Sequence, residues 1–155
     1  MDTARRSAWV SLDLLDGTIP AVPGGPTDHH VTVVYLGRIS DEEYDIALSR
    51  VRSAAAVAPG ALVGVVSGVE SFEPSEGSDG KIPAFAPVEL PGIETLRVAL
   101  ADLSASEHAD YHPHITLAYL SDGDPLPAPV PPTPVTFTHL ALHRGSERVL
   151  FQFGV

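Results

Sequence analysis

One seven-residue segment occurs twice in this chain. The two copies are His30–Leu36 (His-Val-Thr-Val-Val-Tyr-Leu) and His114–Leu120 (His-Ile-Thr-Leu-Ala-Tyr-Leu), and they share His, Thr, Tyr and Leu. They are offset by 84 residues, just over half of the 155-residue chain. A repeat on this scale predicts a duplicated lobe that presents the same strand twice, with the two copies related by a pseudo-twofold axis.

Each copy of the segment has the residue pattern of a β-strand. Side chains two residues apart on a strand point to the same side, so His30 and Thr32 share one face. For the same reason, His114 and Thr116 share one face of the second strand. If both strands face one cleft, two imidazoles and two hydroxyls converge on a small volume.

This constellation is typical of acid–base chemistry on a phosphate. Two imidazoles that titrate near neutrality serve as general base and general acid in one reaction. Two hydroxyl donors hold a tetrahedral anion between them. The sequence therefore predicts a phosphodiesterase in which His30 and His114 transfer protons, while Thr32 and Thr116 bind the non-bridging oxygens. Which histidine is the acid stays open.

The remaining pattern predicts an α+β protein with two similar lobes. A Ser40–Glu43 capping box starts the first helix. By simple alternation, Tyr35 and Tyr119 lie on the strand face opposite the histidines and pack there. Pro83 and Pro87 place their strand at a sheet edge. The predicted elements are strands Ala8–Leu15, His30–Leu36 (ended by Gly37), Ala61–Phe72, Lys81–Leu90 and His114–Leu120, a second helix over Ile93–Leu103, an extended connector Pro125–Pro134, and a hairpin of Val135–His143 and Arg148–Phe153.

Charge and composition exclude several classes of function. The chain has 20 acidic and 9 basic residues, a net charge of −11, which argues against binding long nucleic acids or anionic membranes. Cysteine is absent, so no disulfide, thiolate nucleophile or cysteine-ligated metal is available. Neither a membrane-spanning run nor a signal-peptide pattern is present, and we expect a monomer in the cytoplasm.

The two tetrapeptides His30-Val31-Thr32-Val33 and His114-Ile115-Thr116-Leu117 resemble the hallmark of the two-histidine (2H) phosphoesterase superfamily. That group includes the 2′-5′ RNA ligase-like proteins and the cyclic phosphodiesterases. The motif flanks are similar to those of short, acidic members from phages of actinobacteria. The resemblance implies one bilobal domain over residues 1–155, with two antiparallel sheets and outer helices around a central cleft, and a reaction without metal or other cofactor.

The resemblance to phage members favours small cyclic nucleotides or short oligonucleotides as substrates, with a role in countering cyclic-oligonucleotide antiphage signalling in the host cytoplasm. The alternatives are an enzyme that opens RNA 2′,3′-cyclic phosphates or acts on 2′-5′ linkages, and a non-catalytic nucleotide-binding module or phage structural domain.

Four further residues are candidates for substrate binding. Trp9 lies on the semi-polar face of its strand and suits stacking on a base, although a partly buried core tryptophan is an equal alternative. Tyr111 precedes the second motif and is a rim candidate. Lys81 and Arg144 are candidate phosphate contacts, for which the alternative is a solvated charge.

A metal site is an alternative use of the histidines. His29-His30 and His112-Pro113-His114 bring four imidazoles near the motifs, and imidazole is a good zinc ligand. Because adjacent residues on a strand point to opposite sides, His29 does not share a face with His30, and we expect no metal. The remaining histidines are expected at the surface: His108, His139 and His143.

Overall fold

The computed structural model describes residues 5–15, 17–26, 28–73, 80–105 and 111–154. His108 lies outside these ranges. The elements in chain order are β1 (Arg6–Asp13), β2 (His30–Ile39), α1 (Asp41–Val57), β3 (Leu62–Gly68), β4 (Glu70–Ser71), β5 (Ile82–Glu89), α2 (Ile93–Ala99), a 3₁₀ turn (Ala101–Leu103), β6 (His114–Leu120), β7 (Val130–Phe137), β8 (His139–Arg144) and β9 (Glu147–Gln152). No helix in these ranges is both long and apolar enough to span a membrane.

The strands form one antiparallel path in the order β7-β3-β5-β6-β2-β1-β8-β9, with β4 added to β5. The two motif strands, β2 and β6, lie at its centre. They pair at one position only, Val31 with Ile115, so the path consists of two four-stranded halves joined at that pair. The predicted α+β fold is confirmed, and the two four-stranded halves agree in part with the predicted bilobal duplication.

Both helices contribute to the hydrophobic core on one face of the sheet. Ser40 caps α1 with the predicted capping box, in which its hydroxyl accepts from the Glu43 amide and the Glu43 carboxylate accepts from the Ser40 amide. The central pair Val31 and Ile115 is fully buried in this core. Their neighbours in sequence therefore point to the opposite, open face of the sheet.

The two halves are interlaced rather than consecutive along the chain. Strand β3 follows α1 but joins the half that contains β6, while the terminal hairpin β8–β9 returns to the half that contains β2. In addition, α1 follows the motif strand β2, whereas α2 precedes the motif strand β6. The predicted duplication therefore holds for the sheet order but not for a simple tandem order of elements.

Two predictions about proline-containing segments are wrong. Strand β5 is central in the sheet rather than at an edge. Pro87 is tolerated in this strand because the outer neighbour of β5 changes from β4 to β3 at this residue, so neither strand needs a backbone amide from it. The predicted connector over residues 125–134 ends in β7, which begins at Val130. The prolines in β7 are tolerated because this strand is at the edge of the sheet.

A further difference lies in the first motif strand, which passes through Gly37 instead of ending there. In the β1–β2 pairing, Ala8 faces Gly37 and Trp9 faces Tyr35, so Leu36 is an extra residue that forms a β-bulge. Gly37 has a φ of 76°, which only glycine adopts without strain. The bulge therefore accommodates Gly37, which the sequence pattern predicted as the end of the strand.

A second bulge in β2 follows the motif threonine. Ser11 of β1 faces Thr32 and Val10 faces Val34, which leaves Val33 as the extra residue. Both Val33 and Val34 are buried, so the alternation of side chains reverses after this point.

The second motif strand contains the same bulge at the equivalent position. Thr116 faces Phe85 and Ala118 faces Ala84, so Leu117 is the extra residue of β6. The reversal places Tyr35 and Tyr119 on the same face as the motif histidines, where they are 41% and 50% exposed. The prediction that these tyrosines pack on the opposite face is wrong, because a bulge is invisible to a count of alternating positions.

The tight contact of β3 with β5 gives a prediction about stability. A Cβ added at Gly64 would clash with the Glu89 carbonyl oxygen, whereas one at Gly60 meets nothing within 4 Å. We expect Gly64→Ala to destabilise the protein by about 1–3 kcal/mol, as overpacking does. In thermal unfolding, Gly64→Ala then melts several degrees below the parent, and the matched control Gly60→Ala melts close to it. Equal melting temperatures would contradict this packing.

Candidate active site

The β2–β6 register brings the four motif side chains onto one face. Because Val31 faces Ile115 in an antiparallel pair, His30 lies opposite Thr116 and Thr32 lies opposite His114. The histidines therefore occupy one diagonal of a four-residue cluster and the threonines the other. Each of the four is partly exposed, whereas the residues between them are buried. In an ideal antiparallel pair such diagonal neighbours are about 7–8 Å apart.

Both imidazoles are held by the backbone two residues before them. His30 Nδ1 lies 3.3 Å from the Asp28 carbonyl oxygen, and His114 Nδ1 lies 2.8 Å from the His112 carbonyl oxygen. A carbonyl only accepts, so each Nδ1 carries the proton in these bonds. This arrangement leaves Nε2 of each neutral ring as the atom that accepts or returns a proton.

His114 lies against two aromatic rings. Phe72 and Phe85 stack on each other, with centroids 4.1 Å apart, and both meet the His114 ring edge-on, at 4.9 and 5.1 Å. Burial lowers the pKa of His114, and nearby His30 and His112 lower it further, which outweighs the hydrogen bond to the His112 carbonyl. These effects together favour the neutral form of His114.

His30 has a different neighbour, the imidazole of His143. The two ring centroids are 6.5 Å apart, and His143 stacks on Trp9 at 4.7 Å with an interplanar angle of 7°. His143 Nε2 also lies 2.9 Å from the Ser11 hydroxyl. Trp9, Ser11 and His143 therefore form the wall of the cleft on the β1 side.

Asp13 anchors this wall. The register places it opposite His30, and its carboxylate accepts from Ser11 at 2.8 Å and from Arg148 at 2.9 Å. Burial acts to raise the pKa of Asp13, but the hydrogen bonds with His143 and Ser11 and the charges of His143 and Arg148 lower it to about 2. The carboxylate is thus ionised at any physiological pH and fixes the orientation of Ser11.

A cavity of about 400 Å³ opens beside His114 at the point where β2 and β6 diverge. Three donors bind the β2 carbonyls that β6 no longer reaches. Tyr111 donates to the Thr32 carbonyl at 2.6 Å, Arg97 Nε to that of Val33 at 3.3 Å, and the Ala105 amide to that of Tyr35 at 2.8 Å. The residues that line the cavity are Thr32, Val33, Val34, Tyr35, Phe72, Arg97, Ser104, Tyr111, His112 and His114.

The structure brings two of the four predicted substrate-binding residues to the cleft. Trp9 is partly exposed on its β1 wall. Tyr111 lines the cavity, but its hydroxyl is occupied by the Thr32 carbonyl and its ring lies 3.7 Å from the Arg97 guanidinium carbon. Burial raises the pKa of Tyr111, so the hydroxyl stays protonated and braces the first motif strand.

The predicted phosphate contact Arg144 is wrong. It is only 4% exposed, donates to Asp41 at the start of α1 and lies over the Tyr44 ring. Its neighbour in sequence, His143, is on the cleft face, and adjacent residues of a strand point to opposite faces.

Lys81 lies away from the motif residues. Its neighbour Ile82 pairs with Leu120, whereas Pro87 pairs with His114, so Lys81 is about 20 Å along the strand from the histidine. Lys81 therefore does not lie in the cluster of motif residues.

Sequence reasoning missed His143, which was expected at the surface but has a side chain only 15% exposed within the β1 wall. The one available signal was the polar face of β1, formed by Trp9, Ser11 and Asp13, which requires a polar neighbour. No sequence pattern indicated that Phe72 and Phe85 lie beside His114. Phe72 follows β4 and Phe85 lies in β5, and both come near β6 only through pairing between strands that are distant in sequence.

The histidines that were considered as metal ligands do not converge. His29 is buried, at 6% exposure, while His30 is on the open face. Among the described residues, no three His, Asp or Glu side chains are arranged to hold a metal ion.

Solved structures share this fold. TT0787 of Thermus thermophilus aligns with a TM-score of 0.67 at 19% identity over 96% of this chain and 98% of that one. LigT of E. coli complexed with 3′-AMP gives 0.64 at 16% identity over 96% and 95%. Usb1 of Kluyveromyces marxianus gives 0.67 at 11% identity over 96% and 98%. No curated protein sequence matches the chain significantly.

The family comparison agrees with the motifs. The family model described as the 2′-5′ RNA ligase superfamily matches residues 25–148, a range that includes both His-x-Thr segments. The resemblance to two-histidine phosphoesterases is therefore confirmed, and the chain belongs to the 2′-5′ RNA ligase superfamily.

Proposed function

We propose that this protein is a metal-independent phosphodiesterase that acts on small nucleotides. The observation that carries the proposal is the pairing of Val31 with Ile115, which sets two histidines and two threonines around one point on the open face. A tetrahedral phosphate at that point has a proton acceptor or donor on each side and a hydroxyl donor at each remaining corner.

The reaction is an in-line displacement at phosphorus. One imidazole removes the proton of the attacking oxygen through Nε2 as the new P–O bond forms. The other donates its Nε2 proton to the leaving oxygen as the old P–O bond breaks. Thr32 and Thr116 donate to the non-bridging oxygens, whose negative charge is then shared with fixed donors rather than water.

The surroundings of the two histidines support an assignment of their roles. His114, desolvated by Phe72 and Phe85, is neutral and serves as the base when a substrate hydroxyl attacks. His30 then donates the proton to the leaving oxygen. If water attacks a cyclic phosphate, the direction is reversed and so are the roles.

The net charge of the chain supports a small substrate. With a net charge of −11, long polyanions are repelled, whereas a small substrate needs few cations. Arg97 and Arg148 lie at the two sides of the cleft. E. coli LigT, which shares the fold, has been solved with 3′-AMP, ATP and NADP⁺, all small nucleotides. We favour cyclic di- or oligonucleotides, for which the role against antiphage signalling stays a prediction.

The second candidate function is action on RNA ends. The family name, the 2′-5′ RNA ligase superfamily, favours an enzyme that opens 2′,3′-cyclic phosphates or acts on 2′-5′ linkages. The same four residues would carry that chemistry. A non-catalytic nucleotide-binding module is the alternative from another class, and it is distinguished by binding without turnover.

The first test is a substrate panel with chelator present. Cyclic di- and trinucleotides, 2′,3′-cyclic mononucleotides and 2′-5′ oligoadenylates are incubated with the protein, and products are identified by mass spectrometry. We expect turnover of at least one class, and a loss of about 10²–10⁴-fold in kcat for His30→Ala and for His114→Ala. His139→Ala, on β8 and outside the cluster, is the matched control.

Two results would overturn the proposal. Full activity in the His30→Ala, His114→Ala double variant means that the imidazoles are not the proton-transfer groups. Activity that disappears with chelator means that a metal ion takes part.

The threonines give a separate prediction. Thr32→Val removes one hydroxyl donor at nearly constant volume, and a hydrogen bond to a charged group is worth about 1.5–3 kcal/mol. We expect kcat/KM to fall about 10–100-fold in Thr32→Val and far less in Thr32→Ser, which keeps the hydroxyl. Equal kinetics for the two variants would show that this hydroxyl does not bind the phosphate.

The environment of His114 predicts its titration. Because burial lowers the pKa of this imidazole, its NMR titration midpoint lies below the ordinary 6.5. His114 then stays neutral, and active as a base, to lower pH than an exposed histidine. Phe72→Ala opens the site to water, so the midpoint and the acid limb of kcat/KM move upward together. A midpoint at or above 6.5 in the parent protein would contradict the assignment of His114 as the base.

A further inference from the structure

We propose that two copies of this chain associate through strand β9, which pairs antiparallel with β9 of the second copy across a twofold axis. The proposal concerns an edge of the sheet and is independent of the reaction at the cleft. It departs from the monomer expected from the sequence, because only the strand order shows which strands end the sheet.

The two ends of the strand path, β7 and β9, differ in their capacity to accept another strand. Strand β7 contains Pro131, Pro132 and Pro134. Proline has no amide to donate, and prolines in an edge strand prevent the addition of a further strand. Strand β9 contains no proline, and no strand in the described part of the chain pairs with its outer side. The sheet is therefore open to another strand at β9.

The backbone hydrogen bonds show which groups of β9 point away from β8. The amide of Phe153, just after β9, donates to the Thr138 carbonyl, just before β8, at 2.8 Å. Inward and outward groups alternate along an antiparallel strand, so the odd-numbered residues of β9 bond toward β8. The amides and carbonyls that point outward belong to Arg148, Leu150 and Gln152.

The middle one of these residues also has an exposed apolar side chain. Leu150 is 49% exposed, whereas its neighbour Phe151 is buried on the opposite face. Because Arg148 pairs with His143 on the cleft face, Leu150 lies on that open face as well. A leucine at the centre of an unpaired edge strand favours association with another strand.

The positions of the outward groups select one register for the pairing. A twofold axis at Leu150 is the one position that pairs all three outward residues with outward residues of the second copy. It sets Leu150 opposite Leu150 and Arg148 opposite Gln152, and each pair exchanges both of its N–H···O bonds. An axis at Arg148 would instead set arginine opposite arginine, which is destabilising. An axis at Gln152 would set Leu150 opposite Gly154, whose amide already donates to Ala55.

The charges around β9 allow two acidic chains to meet there. The net charge of −11 produces a general repulsion between copies. At this edge, however, Arg148 is accompanied by Arg6, which lies 3.8 Å from Glu147, and by Arg52, whose guanidinium carbon lies 5.6 Å from the centroid of the Phe151 ring. These residues carry no excess of negative charge, so the edge differs from the chain as a whole.

The pairing extends the sheet across both copies and relates it to the clefts. The twofold axis is normal to the sheet, so the open faces of the two copies lie on the same side. Arg148 also donates to Asp13, the anchor of the β1 wall, at 2.9 Å. The interface therefore adjoins that wall in each copy without covering the motif residues.

The test is sedimentation velocity over a series from micromolar to millimolar protein. Because two short strands form a small interface, we expect a weak equilibrium between monomer and dimer. Leu150→Glu replaces the leucine pair with like charges and should raise the dissociation constant at least about tenfold. Ile46→Glu, the same change at an exposed aliphatic residue of α1, is the matched control and should leave the constant unchanged.

Two variants of Gln152 test the register. Gln152→Glu sets a carboxylate opposite Arg148 at both ends of the interface and should lower the dissociation constant about 2–30-fold. Gln152→Arg should raise it by a similar factor. Amide hydrogen exchange tests the backbone bonds: the outward amide of Leu150 should be protected only at high protein concentration, whereas the inward amide of Val149 is protected at any concentration.

Three results would overturn the proposal. These are a parent protein that stays monomeric at millimolar concentration, equal dissociation constants for the two Gln152 variants, and exchange of the Leu150 amide that does not depend on concentration. Thermal unfolding of each variant accompanies the measurements. If Leu150→Glu melts below the temperature of the experiment, Leu150→Ser replaces it, because it removes the leucine pair without adding charge.

Discussion

The pairing of Val31 with Ile115 is the contact on which the arrangement of this molecule depends. It is the one ladder position at which the two four-stranded halves meet. Full burial of both side chains fixes which face of each strand is apolar, and hence which face carries the motif. A slip of one residue in this register would turn the histidines and threonines into the core, so the packing of two aliphatic side chains positions the reactive cluster.

The duplicated motif provides two copies of the same chemical groups, and their surroundings make them different. Each imidazole is oriented by the same backbone bond to a carbonyl two residues earlier. Only one of them lies against two phenylalanine rings, while the other is next to a third histidine and a wall anchored by an ionised aspartate. Burial on one side alone lowers the pKa of His114, so two copies of the same group lie in different surroundings.

Much of the fold follows from local pattern. The motif strands and the capping box at Ser40 were predicted because their signals lie within a few neighbouring residues. The terminal hairpin was predicted in part: its first strand was expected over Val135–His143, but it begins at His139, and residues 135–137 belong to β7, which pairs with β3. The errors arose where the decisive contact is distant in sequence. The bulges at Val33 and Leu117 reverse the alternation of side chains without changing the residue composition. Pro87 is tolerated in a central strand because β4 and β3 succeed each other along the same side of β5. His143 reaches the cleft through a pairing with Trp9 that no local pattern reports.

The interlacing of the halves has a consequence for how the protein can be divided. A cut near the middle of the chain, after β3, would leave the first fragment without β8 and β9 and the second without its partner for β7. Neither fragment would contain a complete four-stranded half. Each half therefore depends on strands from both parts of the chain, so scission at this point cannot release two independent halves. Each fragment instead supplies strands that the other lacks, which favours fragment complementation.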